Sequence, residues 1–187
     1  MADTGALSPQ TMADDATVGT VAWNGTDEMK VEDDVTNTTI SVLSAGNPIS
    51  HYAKATNFGF AIPTGATING ILVEIRKMQQ TVGVGNIIND NEIKIVKSDG
   101  TIGTTNKANS SDWSATLAYV SYGSSSDLWG ETWTYSDIND VDFGVVFSAK
   151  RISGSSFLYP EVDHIRITVY YTEATTYNSP FPSFRRI

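Results

Sequence analysis

Cysteine is absent from the 187 residues, which excludes a disulfide framework, a thiol nucleophile and cysteine-ligated zinc. Histidine occurs twice, at His51 and His164, and neither belongs to a paired-histidine helix motif of a metallohydrolase. His164 follows Asp163, but a regular strand points adjacent side chains to opposite faces, so His164 reads as an outward strand residue. There is no Gly-x-Ser-x-Gly elbow. The glycines of Gly83-Val84-Gly85-Asn86 lack the Lys-Ser and helix that a phosphate loop needs. These gaps argue against an enzyme, and no catalytic residue is assigned.

Charge is scarce too. Asp, Glu, Lys and Arg make up 18% of the chain, below the usual quarter, and helical bundles draw heavily on these residues. Acids outnumber bases 21 to 12, giving −9, which disfavours phosphate contacts and hence nucleic acid as a partner. No apolar run approaches a membrane span. The N-terminal residues lack the basic start and apolar stretch of a signal peptide, so a chain made and kept in the cytoplasm, or exported in some other way, is expected.

The polarity that is present comes from 22 Thr, 19 Ser, 12 Asn and 15 Gly. Thr and aromatic residues favour strands, while Gly, Asn and Ser favour turns. Period-two alternation is clear in four stretches, near 52–62, 67–78, 142–152 and 162–172. Shorter strands are expected at 17–23, 38–43, around Ile93 and Ile95, and at 117–122, with a hairpin turn at Ser98-Asp99-Gly100-Thr101. Ser136 is placed to cap a short helical turn through Asp140.

Long strands, each with one apolar face and separated in sequence, predict an all-β, two-sheet antiparallel jelly-roll β-sandwich. Residues 17–173 form the sandwich, with an N-terminal arm at 1–16 and a C-terminal tail at 174–187. The arm is ordered only if something holds it. Phe58, Phe60, Val73, Ile75, Ile93, Ile95, Phe143, Val145, Phe147, Ile165, Ile167 and Val169 are expected to line the core.

Acidic pairs at Asp14-Asp15, Asp27-Glu28 and Asp33-Asp34, with Asp137 and Asp140, offer oxygen ligands for calcium. None has EF-hand spacing, and solvated turn residues are the simpler reading. Trp113, Trp129 and Trp133 cluster in polar text. Exposed on one face they would make a glycan platform; buried, Trp129 and Trp133 would close one end of the core. The tail carries Phe181, Phe184, Arg185 and Arg186 with no acid after Glu173, so it is +2 on a body of −11. Such a tail suits a clasp on an acidic neighbour.

The run from Ala55 through Phe58-Gly59-Phe60-Ala61-Ile62-Pro63 to Gly70-Ile71 has companions at Asp127-Leu128-Trp129-Gly130, Ser136 to Val145 and Val162 to Tyr171. Together these phrases resemble the jelly-roll structural proteins, decoration or cement proteins among them, of tailed bacteriophage virions. Similar text occurs in sandwich domains of secreted carbohydrate-binding proteins. The phage resemblance implies a non-catalytic subunit that binds and stabilises the head, with the major capsid protein or other virion subunits as partners. It also implies a homotrimer over local threefold positions and localisation in the virion. Val146 and Tyr170, apolar on strand faces expected to be polar, would supply area for such contacts. A carbohydrate-binding module or a tail- or fibre-associated protein is the alternative.

Overall fold

A computed structural model describes residues 1–39, 41–46, 48–80, 85–154 and 159–175. Among the described residues, nine strands alternate between two antiparallel sheets: β1 (Ala2–Asp3), β2 (Thr11–Asp15), β3 (Asn37–Thr38), β4 (Tyr52–Thr56), β5 (Thr67–Gln79), β6 (Ile87–Val96), β7 (Ala118–Gly123), β8 (Gly144–Ser153) and β9 (Pro160–Thr172). One sheet runs β1-β9-β5-β7, with β3 also on β9, and the other runs β2-β4-β8-β6. From β4 onward every successive strand changes sheet, the winding of a jelly roll. The expected fold class is therefore the observed one.

All twelve expected core residues are buried between the sheets. Phe147 is fully buried and lies 5.2 Å from the Trp23 ring, while Phe60 and Trp133 both pack edge-on to Phe143. The N-terminal arm is held twice. Ala2 and Asp3 pair with Tyr171 and Tyr170, and Thr11 to Asp15 pair with Thr56 to Tyr52.

Several local expectations change. Thr17–Trp23 is not a strand; it makes isolated bridges from Val21 to Ser50 and from Trp23 to Thr39. The stretch after Thr56 leaves the ladder because Asn57 and Gly59 take positive φ, yet Phe58, Phe60 and Ile62 still turn inward. β6 begins at Ile87, well ahead of the short strand expected around Ile93 and Ile95. The short helix α1 (Tyr135–Ile138) is capped by Thr134 rather than Ser136, in a capping box with Asp137. Val146 does not offer free apolar area. It is buried with Tyr52 and Val96 under Val18 and Ile102, which belong to the same chain.

Candidate functional site

β6 and β7 are the outer strands of the two sheets on the same side of the sandwich, and the loop between them crosses that rim. The loop is stitched to both sheets, through β6 of one and β5 of the other. Trp113 N donates to Ile88 O at 2.8 Å, Lys107 N to Ile93 O at 2.9 Å, and Gln79 N to Ser114 O at 2.9 Å.

Beneath the loop lies a buried polar cluster. Lys77 continues the inward series Ile71, Val73 and Ile75 on β5, so its ammonium enters the space between the sheets. Asp90 meets it from β6, and both side chains are almost fully withdrawn from solvent. Lys77 Nζ pairs with Asp90 Oδ1 and donates to Tyr122 Oη at 2.6 Å. Asp90 also accepts from Trp113 Nε1 (2.8 Å), Tyr122 Oη (2.8 Å) and Asn109 N (3.0 Å). The ammonium stands 4.2 Å from the Trp113 ring centroid. Burial pushes the Lys77 pKa down to about 8, against the opposing pull of Asp90. Burial and then Asp90 hold the Tyr122 phenol well above its ordinary range. A cavity of about 140 Å³ is lined by Lys77, Asp90, Trp113 and Ser111 among others. Beside it, between Asn109 and β7, runs a polar groove of about 490 Å³ reaching Lys107 and Asp127. The sequence signal for this cluster was a lysine at an inward strand position.

The Trp platform is not present, because the three rings go to different places and face inward. Trp113 belongs to the Lys77 cluster. Trp129, 1% exposed, donates from Nε1 to Ile71 O at 3.0 Å. Half-buried Trp133 packs on Phe143 and donates to Leu128 O. Packing and indole hydrogen bonds claim these side chains, as in the core-closing reading of Trp129 and Trp133. Phe181, Phe184, Arg185 and Arg186 lie outside the described residues.

The outer face of the first sheet carries a second polar cluster. Opposite Arg76 and Lys77 on β5 stand His164 and Val162 of β9, so Asp163 is the extra residue of a β-bulge. The bulge overturns the expected opposition of Asp163 and His164. Asp163 pairs with Arg76, whose cross-strand neighbour is His164. His164 is oriented outward as expected but is covered: Ser8 Oγ lies 2.8 Å from Nε2 and Tyr119 Oη 2.7 Å from Nδ1. Burial lowers the His164 pKa, with Glu32 and Asp163 opposing that shift and Arg166 and Arg76 reinforcing it.

The aspartates among the acidic turn residues are engaged by the protein itself. Asp14 accepts from Trp23 N and bonds His51, Asp27 pairs with Lys30, and Asp34 pairs with Arg76. Asp15, Asp33 and Asp140 accept backbone N–H groups two residues on. Among the described residues no group of three or more His, Asp or Glu is placed to hold a metal ion, and no helix is long and apolar enough to cross a membrane.

No family model matches this chain, and no curated protein does. Among solved structures, the chain is similar to the CBM22-1 xylan-binding domain of Paenibacillus barcinonensis Xyn10C. The TM-score is 0.41 at 9% identity, over 88% of this chain and 92% of that one. At this TM-score the likeness carries no inference about fold or ligand.

Proposed function

We propose that this protein is a non-catalytic structural subunit of a tailed-phage virion, a decoration or cement protein that binds and stabilises the head. One observation carries the reading: the separate phrases that resemble such proteins meet in space as one unit. Ile62 of the first phrase is hydrogen-bonded through both backbone groups to Asn139 of the third. The strand that completes the first phrase, β5, pairs with the last phrase, β9, from Thr67 to Gln79. Trp129 of the second phrase bonds back to Ile71.

On this reading the partners are the major capsid protein or other virion subunits, and the assembly is a homotrimer. Phe181 and Phe184 anchor the basic tail, and Arg185 and Arg186 meet acidic neighbours. Mass spectrometry of purified virions, with a copy-number measurement, tests it. Copies matching the head lattice are expected; absence from the particles overturns the reading. Deleting 178–187 is expected to lower particle occupancy, most visibly at raised salt, with the sandwich still folded.

The polar groove beside β7 favours a second reading, a carbohydrate-binding module. Its lining of Asn109, Ser110, Ser121 and Asp127 offers donors and acceptors suited to sugar hydroxyls. A glycan array with the full chain and with Asp127→Asn tests it; binding that is lost in the variant supports the groove, and no binding excludes it.

A further inference from the structure

Lys77 and Asp90 come from different sheets and meet where a charged pair is costly. Two ions removed from water lose hydration that their attraction only partly restores. A neutral product of the same two groups would escape that cost.

The two oxygens of Asp90 have different surroundings. Oδ1 accepts from Lys77 Nζ and Trp113 Nε1, and Oδ2 accepts from Tyr122 Oη and Asn109 N. Tyr122 Oη in turn accepts from Lys77 Nζ at 2.6 Å. The phenol therefore bridges the amine to Oδ2, accepting on one side and donating on the other. A concerted shift along this bridge moves a proton from the ammonium to Oδ2. It leaves a neutral amine beside a neutral carboxylic acid, the pair that condenses. With its pKa held high, the phenol relays the proton without remaining ionised. The lowered Lys77 pKa reduces the cost of freeing the amine.

We propose that Lys77 and Asp90 condense into an intramolecular amide bond that ties β5 of one sheet to β6 of the other. The Nζ lone pair attacks Asp90 Cγ, and Trp113 Nε1–H stabilises the charge that gathers on Oδ1. The Cγ–Oδ2 bond breaks, and Oδ2 leaves as water. Of the three ammonium hydrogens, two depart with that water, the second again through Tyr122, and one stays on the amide nitrogen. Ammonium plus carboxylate thus becomes amide plus one water, with no oxidant or cofactor required. The adjoining cavity of about 140 Å³ has room for the released molecule. The bond is a property of the folded chain and does not depend on the virion reading.

Intact-mass spectrometry of the full chain, purified folded and then denatured, is the test. The expected mass is below that of the sequence by one water, and a proteolytic digest should contain a branched peptide joining the Lys77 and Asp90 segments. Lys77→Arg and Asp90→Ala should each restore the full mass. Tyr122→Phe should leave a fraction of the chain uncondensed. The full sequence mass in the unsubstituted protein overturns the proposal, whether or not any variant folds. So does a water loss that maps to a succinimide at Asp99-Gly100 instead.

Discussion

Asn139 holds Ile62 as a neighbouring strand would: its Oδ1 accepts from Ile62 N at 2.8 Å, and its Nδ2 donates to Ile62 O at 2.9 Å. The two residues lie 77 positions apart. The partnership satisfies a backbone that has left the β4 ladder at Asn57 and has no strand beside it. It also fixes where Phe58 and Phe60 enter the core.

Asn139→Ala removes both bonds and leaves an N–H and a carbonyl to find water. The expected cost is about 2–3 kcal/mol, from roughly 1 kcal/mol per bond plus incomplete resolvation. Asn139→Asp should keep the acceptor and recover part of that loss. Urea midpoints of the three proteins measure it, and equal midpoints would show that the clasp is not stabilising.

Phe147→Ala empties the centre of the sandwich. The ring is fully buried and packs against Trp23. Large-to-small changes at such sites lose transfer free energy and leave a cavity, so about 3–5 kcal/mol is expected. Thermal and chemical denaturation should both report the loss; a cost below about 1 kcal/mol would mean the sheets close over the gap.

Val146→Ala separates two uses of an outward apolar residue. In the structure Val146 is covered by Tyr52, Val96, Val18 and Ile102. Truncation should cost about 2 kcal/mol of monomer stability through lost burial. Sedimentation should not change. A variant of unaltered stability that dissociates an oligomer would instead place Val146 at a subunit interface.

The inward residues of β5, β8 and β9 were legible because strand alternation places their apolar residues on one face. Thr17–Trp23 misled because β-branched and aromatic residues also suit an extended segment bonded at single points, such as Val21 to Ser50. Val146 misled for a related reason: alternation tells inside from outside, but not whether a loop lies over the outside. The Lys77 cluster was hidden because its members, Lys77 included, are spread over three strands and a loop, and local periodicity carries no record of which edges meet. The Asp163 bulge was equally silent, since one extra residue in a strand has no compositional mark.

His164 gives the fold a dependence on pH with a definite sign. Its ring is buried against Ser8 of the N-terminal segment and Tyr119 of β7. Glu32 and Asp163 favour the imidazolium, Arg76 and Arg166 oppose it, and burial, the largest influence, lowers the pKa in the folded state. The unfolded chain therefore takes up the proton first as pH falls through the ordinary histidine value of about 6.5. Stability should be complete above that value and decline below it until the folded-state pKa is passed. Protonation makes both ring nitrogens donors, so the hydroxyl that donates to the neutral ring must turn to accept, and the segment around Ser8 should loosen with the same profile. Urea midpoints between pH 7.5 and 5.5, with amide exchange near Ser8, measure both effects. His164→Gln removes the titrating group, so the decline across this window should shrink in that variant. A slope of equal size in both proteins would place the titration at another group.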